Sequence, residues 1–264
     1  MEERKVIYYT DELNEEFSEA QITPRVIDKD FPYFHNRIWD ICSLAIQNIF
    51  SMPIKILYQK LKFHLRYVGK EKLKECKNGG YFIYGNHTQP FADTFIPSVA
   101  NYPHRNFFIV NPENVSMPGL HVLVEMLGAI PIPCDMGGMK HFVKSVEDKI
   151  RRGYSVTIYP EAHIWPYYIG IRPFKSVSFQ YPVKLDCPVY ALTNTYHERK
   201  GKPGKVDIVT YIDGPFYPDT SLKPKERQQD LRDRVYQCMS ERSKESDYEV
   251  IRYVKKEEET SSGR

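Results

Sequence analysis

Residues 81–94 read Tyr81-Phe82-Ile83-Tyr84-Gly85-Asn86-His87-Thr88-Gln89-Pro90-Phe91-Ala92-Asp93-Thr94 and contain both a strand pattern and a possible catalytic pair. The apolar run at the start of this stretch predicts a buried strand, and Pro90 suits the first position of a following helix, where its missing N–H is no loss. The turn between them would expose the imidazole of His87 with the carboxylate of Asp93 downstream. Such a pair can take a proton from a hydroxyl, because the carboxylate orients the ring and stabilises the imidazolium. The alternative is a turn histidine that makes only local hydrogen bonds.

A second motif of the same kind closes another apolar strand. The run Val156-Thr157-Ile158 is followed by Tyr159-Pro160-Glu161-Ala162-His163. In a parallel α/β sheet, ligands gather at the carboxyl ends of the strands. The two motif turns are therefore expected to face one pocket.

From residue 80 onward, patterns typical of strands alternate with patterns typical of helices. This alternation predicts an α/β fold with a mostly parallel central sheet flanked by helices, and the strands are apolar on both faces, as burial under two helical layers requires. The predicted strands are Tyr81–Gly85, Asn106–Val110, Ala129–Ile132, Ser155–Tyr159, Pro188–Thr195 and Val206–Ile212, and the predicted helices are Pro90–Ala100, Pro118–Leu127, Met139–Arg152 and Pro224–Ser243.

Composition divides the chain into four parts. Residues 1–30 form a polar, acidic N-terminal arm with a short strand at Val6–Tyr9, residues 31–78 form an amphipathic helical segment, residues 79–250 form the α/β domain, and residues 251–264 form a charged tail that is expected to fray. A chain of 264 residues is long enough for one sizeable domain with such appendages.

The amphipathic segment carries a narrow polar stripe on an otherwise apolar helix. The stripe comprises Asp40, Ser43, Gln47, Ser51 and Lys55, and Pro53 is expected to kink or divide the helix. Lysines follow, including Lys60 and Lys62. No run reaches the roughly 18 uninterrupted apolar residues of a spanning helix, so the pattern favours an interfacial anchor on an anionic membrane. The alternative is a helix that packs on the core of its own domain, with the lysines as a solvated face.

The overall composition excludes several classes of protein. With 37 Lys and Arg against 34 Asp and Glu, the charge does not indicate a nucleic-acid partner. The five cysteines are far apart and odd in number, so neither a zinc site nor a disulfide framework is predicted. No metal or other cofactor is expected. Reduced cysteines and an acidic N-terminus without signal-peptide character point to the cytoplasm, on the cytoplasmic face of a membrane.

Four ordered blocks of residues 80–195 resemble the glycerolipid acyltransferase family, of the lysophosphatidate (1-acyl-glycerol-3-phosphate) acyltransferase type. The blocks are Asn86-His87 through Asp93, Leu127–Ile132, Tyr159-Pro160-Glu161 with Pro173-Phe174-Lys175, and Cys187–Leu192. The resemblance implies an acyltransferase domain over residues 79–250. It also implies that His87 is the general base for the acceptor hydroxyl, that Asp93 orients it, and that no covalent acyl-enzyme forms. No Gly-x-Ser-x-Gly elbow is present, in agreement with that mechanism.

The same resemblance suggests residues that bind substrate. Glu161 would bind the acceptor, flanked by Pro160, with Asn86 beside the base. The alternative is that Glu161 caps a helix or turn. The family usually continues Pro-Glu with Gly-Thr-Arg, whose arginine contacts the acceptor phosphate, but here Ala162-His163-Ile164 occupies those places. His163, Arg172 and Lys175 are then the candidates for replacing the missing positive charge. The alternative is that Arg172 and Lys175 are ordinary surface residues.

One departure affects the catalytic pair itself. Five residues lie between His87 and Asp93, whereas the family has four. A longer turn can absorb the extra residue, but on a single helix it would rotate Asp93 by about 100°.

The leading hypothesis is an enzyme that moves a fatty acyl group from an acyl-CoA or acyl-carrier-protein thioester to the hydroxyl of a lysophospholipid-like acceptor, lysophosphatidate being the first guess. The missing arginine leaves open a different, unphosphorylated acceptor. The unusual spacing leaves open an inactive lipid-binding or scaffold protein, and a thioesterase would use water in place of the acceptor.

Overall fold

The computed structural model describes residues 4–18, 22–76 and 79–256. In chain order, its helices and strands are β1 (Lys5–Tyr9), α1 (Arg37–Ala45), α2 (Ser51–Tyr58), β2 (Arg66–Val68), β3 (Tyr81–Gly85), α3 (Phe95–Asn101), β4 (Asn106–Val110), α4 (His121–Met126), β5 (Ala129–Pro131), α5 (Met136–Arg151), β6 (Ser155–Ile158), α6 (Gln180–Leu185), β7 (Val189–Glu198), β8 (Val206–Phe216), α7 (Pro224–Ser243) and β9 (Ile251–Lys255).

The central sheet has seven strands in the order β2-β8-β7-β3-β6-β4-β5. All neighbouring strands are parallel except β7 and β8, which are antiparallel. The α/β class with a mostly parallel sheet is therefore confirmed. Alternate residues of β3 supply the two cores, since Phe82 and Tyr84 pack on one face of the sheet and Tyr81 and Ile83 on the other.

The order of the strands brings the two motif turns together. Strand β3 lies between β6 and β7, and Tyr84 is paired with Ile158 of β6. Strands β3 and β6 run in the same direction and end at the same edge of the sheet. The Asn86-His87 turn and the Tyr159-Pro160-Glu161 turn therefore leave the sheet side by side.

Several local predictions need correction. We call residues 86–89, which follow β3, the catalytic turn. The helix after it does not begin at Pro90, because a short 3-10 segment (Ala92–Thr94) precedes α3. Strands β2 and β9 and helix α6 were not predicted.

Strand β9 lies in the part of the chain that was expected to fray. It pairs in parallel with β1, so that the predicted arm and tail meet in a two-stranded sheet. Residues 257–264 of the tail lie outside the described residues.

The N-terminal helix runs without a break from Arg37 to Phe63, through π-helical turns at Ile46–Phe50 and Gln59–Phe63. Pro53 lies inside α2 and does not divide the helix. Positions four residues apart drift by about 40° per step on an ideal α-helix. A π-helical turn contains more residues than an α-helical turn, so it compensates for this drift. The stripe therefore stays directed at the domain along the whole helix.

The polar stripe of this helix faces the domain, and its apolar face is exposed. Of the stripe, Ser43, Gln47 and Lys55 are buried, and Asp40 and Ser51 are half-buried. Ser43 and Gln47 bond to the carbonyl of Met126 and receive hydrogen bonds from buried Arg105. Lys55 is also buried, over the ring of Phe95, so it is not part of a solvated basic patch. The exposed apolar side chains include Ile38, Ile41, Leu44, Ile49, Phe50, Ile54, Ile56, Leu57 and Leu61.

By length and composition alone, this 27-residue helix could cross a membrane, although polar residues interrupt its apolar run. In the structure, however, its polar face lies against the domain. The helix therefore runs along the surface of the α/β domain with its apolar side outward. The alternative interpretation expected the helix to bury its apolar face in the domain core, and it does not.

Candidate active site

His87 and Asp93 form a hydrogen-bonded pair at the carboxyl end of β3, where Nδ1 of His87 lies 2.8 Å from Oδ2 of Asp93. The same carboxylate oxygen accepts the backbone amides of Thr88 and Gln89, each at 3.0 Å. Asp93 thus closes the turn and holds the imidazole at once. The extra residue between the two is absorbed because residues 86–89 lie in an extended turn before the helix.

The ring of His87 is also held on its face. Tyr159 stacks on it, with ring centroids 4.5 Å apart and planes 17° apart. The hydroxyl of Tyr159 donates to the carbonyl of Asp93. The Tyr159 ring passes so close to Gly85 that a Cβ there would lie 2.6 Å from a ring carbon. Glycine at position 85 therefore makes room for the stacking.

The electrostatics of the pair suit proton transfer. Asp93 is buried, and this raises the pKa of its carboxyl, against hydrogen bonds from His87 and from two backbone amides that lower it. The His87 side chain keeps 18% of its surface exposed. With Nδ1 bonded to Asp93, Nε2 is the ring nitrogen left for a substrate hydroxyl. Such an arrangement can remove a proton and stabilise the resulting imidazolium.

The sequence suggested that Glu161 binds the acceptor, but in the structure Glu161 is not placed to do so. Its carboxylate has no exposed surface and lies beneath the catalytic turn. One oxygen accepts the backbone amide of His87 and the other accepts that of Arg172, both at 3.2 Å. Burial raises the pKa of the Glu161 carboxyl, while the positive charge of Arg172 lowers it. Glu161 therefore joins the turn after β3 to the segment after β6.

Arg172 is likewise not a cation open to a phosphate. It is fully buried, 3.4 Å from the carboxylate of Glu161, and donates to the backbone carbonyls of Glu161 and His163. Its guanidinium lies over the ring of Trp165, 5.0 Å from the centroid. Arg172 was predicted to help replace the family's phosphate-binding arginine, but in the structure its charge is paired inside the protein with Glu161.

The remaining predicted binding residues occupy different environments. Asn86 is buried, and its side-chain amide makes two hydrogen bonds to the backbone of Asn194 in β7, so it fixes the turn rather than facing a substrate. Pro160 is half-buried. His163 is half-buried with Nδ1 3.7 Å from the carboxylate of Glu16. Lys175 is exposed and makes no ion pair within the described residues.

Three residues that hold the turn were not predicted from the sequence. Tyr159 stacks on His87, Trp165 donates its amide to the carbonyl of His87 at 3.1 Å, and the hydroxyl of Tyr196 donates to the side chain of Thr88 at 2.6 Å. Tyr159 belongs to the second motif, so its place at the strand end was the available signal. Tyr196 lies 108 residues from Thr88, and no local pattern indicates that contact.

Among residues 4–18, 22–76 and 79–256, no three or more His, Cys, Asp or Glu side chains are grouped closely enough to hold a metal ion.

Comparison with known proteins identifies the family and a similar fold. A family model described as acyltransferase matches residues 64–195, which is half of the chain. The fold is similar to the crystal structure of the 1-acyl-sn-glycerophosphate (LPA) acyltransferase PlsC from Thermotoga maritima, with a TM-score of 0.54 and 16% identity over 83% of this chain and 89% of that one. No curated protein matches the chain in sequence. The match to the family model covers both the His87–Asp93 turn and the Glu161 turn, and on that evidence the chain belongs to the acyltransferase family.

Proposed function

We propose that this protein transfers a fatty acyl group from an acyl-CoA or acyl-carrier-protein thioester to the hydroxyl of a lysophospholipid-like acceptor. The observation that carries the proposal is the His87–Asp93 pair at 2.8 Å, held at the end of β3 with part of the imidazole exposed. The extra residue in the motif had raised the possibility of an inactive site. The preserved geometry favours an active one.

In the proposed reaction, Nε2 of His87 takes the proton from the acceptor hydroxyl as its oxygen attacks the thioester carbonyl. Asp93 holds the ring and stabilises the imidazolium that forms. As the tetrahedral intermediate collapses, the C–S bond breaks and the imidazolium returns its proton to the leaving thiolate. The products are the ester and the free thiol, and His87 is regenerated.

The proposal is tested by measuring release of free thiol with and without a lysolipid acceptor, with each class of thioester in turn. His87→Ala is expected to lower the acceptor-dependent rate by at least about 100-fold, since general-base catalysis contributes at least that much. His104→Ala is the matched control, because His104 is an exposed histidine outside the site. A His87→Ala rate within a few-fold of the wild type would refute His87 as the base. Thiol release that does not depend on the acceptor would indicate a thioesterase.

A different acceptor is a second candidate, favoured by the burial of Arg172. An acceptor phosphate cannot reach that guanidinium without breaking its ion pair with Glu161, and Ile164 stands where the family has its arginine. A monoacylglycerol would not need the missing charge. Comparing kcat/KM for lysophosphatidate and for a monoacylglycerol of the same chain length decides between them, because the uncharged acceptor is preferred only if the phosphate has no binding site.

We also propose that the protein binds the membrane through the exposed apolar face of the N-terminal helix. The polar face is already occupied by the domain, so the helix would lie in the interface with its axis along the surface rather than span the bilayer. Ile38 and Ile54, for example, are 73% and 66% exposed. Exposed Lys60 and Lys62 lie near the end of the helix and suit an anionic surface. The cytoplasmic location stays a prediction.

The same helix also contacts the segment that follows the catalytic turn. Tyr58 of α2 packs against Phe91, which follows the turn, and against Phe95 at the start of α3, with ring centroids 5.6 Å apart in both cases. Phe91 is itself 62% exposed. This aromatic group supports entry of lipid substrates from the membrane side.

Membrane binding is tested by cosedimentation with anionic vesicles. The Ile49→Glu and Leu57→Glu variants, which place charges on the exposed face, are expected to pellet less than the wild type. Val177→Glu is the matched control, because Val177 is an equally exposed apolar residue away from this helix. If the wild type stays in the supernatant at low salt, the proposed membrane contact is wrong.

A further inference from the structure

A loop packs on the backbone of the catalytic turn and helps to place it. We call residues 162–171, which follow Glu161, the Trp165 loop. The amide of Trp165 donates to the carbonyl of His87 at 3.1 Å, and the amide of Tyr167 donates to the carbonyl of Thr88 at 2.9 Å. These bonds fix the turn from the side opposite to Asp93, which accepts the amides of Thr88 and Gln89.

The conformation of the Trp165 loop is unfavourable by itself. Ala162 and Tyr167 have φ angles of 65° and 59°, in the left-handed region that residues with a Cβ rarely adopt. Contacts from elsewhere in the molecule must therefore hold the loop in place.

The N-terminal arm provides such contacts through hydrogen bonds. The carboxylate of Glu16 accepts the amide of Ile164 at 2.8 Å, and the carbonyl of Ile164 accepts the amide of Phe17 at 3.2 Å. The carbonyl of Glu15 accepts the indole N–H of Trp165 at 2.8 Å. Each of these bonds joins parts of the chain that are nearly 150 residues apart, so none of them is a local feature of the loop.

The arm also covers the indole of Trp165, which is fully buried. Tyr9 and Phe17 meet the indole edge-on at centroid distances of 4.6 and 5.2 Å, and Tyr253 stacks on it at 4.9 Å. Tyr9 belongs to β1 and Tyr253 to β9, so the two-stranded sheet anchors the arm over the loop.

From these contacts, and resting on the proposed function, we propose that Glu16 and Phe17 are positioning residues for the catalytic turn. They hold the Trp165 loop, and the loop holds the backbone of His87 and Thr88 in the geometry that proton transfer needs. A small displacement of a catalytic group lowers the rate of the chemical step strongly, while substrate affinity need not change. Loss of these contacts therefore lowers kcat more than it raises KM.

The first experiment compares three variants of acidic residues in the arm. Glu16→Ala removes the hydrogen bond to Ile164 and is expected to lower kcat by about tenfold or more, with KM for thioester and acceptor within about threefold. Glu16→Gln keeps one oxygen that can accept the Ile164 amide, while its NH2 group replaces the oxygen that accepts the Ser18 amide, so it is expected to restore part of kcat. Glu12→Ala is the matched control, since it removes one acidic side chain but leaves the Glu12 carbonyl bonded to Arg172.

A second measurement does not depend on catalysis, so it separates failure of this proposal from failure of the proposed function. Hydrogen exchange of the peptide spanning residues 86–95 is expected to be faster in Glu16→Ala than in the wild type or Glu16→Gln. In a Trp39→Phe background, Trp165 is the remaining tryptophan of two, and its emission should shift to the red as the arm loosens.

Wild-type kcat, exchange and emission in Glu16→Ala would overturn the proposal. So would an equal loss of kcat in Glu16→Gln and Glu16→Ala, because an acceptor for the Ile164 amide would then not be what positions the turn. If Glu16→Ala does not fold, Phe17→Leu provides the same test by weakening the packing on Trp165 while keeping the backbone bond to Ile164. Unchanged kcat and exchange in that variant would likewise overturn the proposal.

Discussion

Replacing Glu161 by Gln tests whether Glu161 supports the catalytic turn or binds the acceptor. In the structure, the Glu161 carboxylate has no exposed surface, pairs with the buried Arg172 at 3.4 Å and accepts the backbone amides of His87 and Arg172. The side chain of the Glu161→Gln variant can still accept an amide hydrogen but leaves the guanidinium without its counter-charge. The expected result is loss of stability and of kcat, with KM for the acceptor nearly unchanged.

The size of the effect follows from the burial of the pair. Removing one partner of a buried ion pair costs about 3–5 kcal/mol. Arg172 keeps carbonyl acceptors and the ring of Trp165, so we expect the lower end, about 3 kcal/mol. In a chain of this size, about 1 kcal/mol shifts Tm by roughly 2–4 °C, so Tm should fall by about 6–12 °C.

Thermal unfolding of a double-mutant cycle provides the control. Glu161→Gln combined with Arg172→Met should be more stable than Glu161→Gln alone, because no uncompensated charge remains buried. Steady-state kinetics of the folded variants below their Tm give the second readout. An unchanged Tm together with a raised KM for the lysolipid would refute the reasoning and return Glu161 to the role of acceptor ligand.

Three further predictions concern the turn and the helix. Asp93→Asn should lower kcat by about 10²–10⁴-fold, but no more than His87→Ala, in the thiol-release assay. Gly85→Ala should lower kcat with little change in KM, because the added Cβ displaces the ring of Tyr159 from beneath the imidazole; kinetics equal to wild type would contradict this. Lys55→Met should raise Tm at pH 7, and calorimetry from pH 7 to 10 should show that gain shrinking with pH.

The sign of the last effect follows from the pKa of Lys55, which burial lowers to about 8 from its ordinary value of 10.5. Between these two values, the unfolded chain holds a proton that the folded chain has released, so the wild type gains stability as pH rises. That gain is lost as pH falls through about 8, where the folded protein must bury a charged ammonium. The variant has no such group. A Tm difference independent of pH would contradict the assignment.

Features that depend on neighbouring residues could be predicted from the sequence. The apolar run at Tyr81–Gly85 and the pattern at Pro224–Ser243 predicted a strand and a helix with the bounds that the structure has. The alternation of strands and helices predicted the fold class, because the spacing of apolar residues within a short segment indicates both its secondary structure and its burial. The strand-to-turn position of His87 was readable for the same reason.

The tertiary structure decided which of the candidate groups are available to a substrate. Arg172 and Glu161 are eleven residues apart and could each have faced solvent, but they neutralise each other beneath the turn. The polar stripe of the N-terminal helix was located from the sequence, but the surface that it faces was not predicted, because residues with which it bonds, such as Arg105, lie about 60 positions away. The hydrogen bond from the Ile164 amide to the Glu16 carboxylate joins residues that are 148 positions apart. Such pairings depend on which surfaces the folded sheet and arm bring together, and no periodicity within a single element records them.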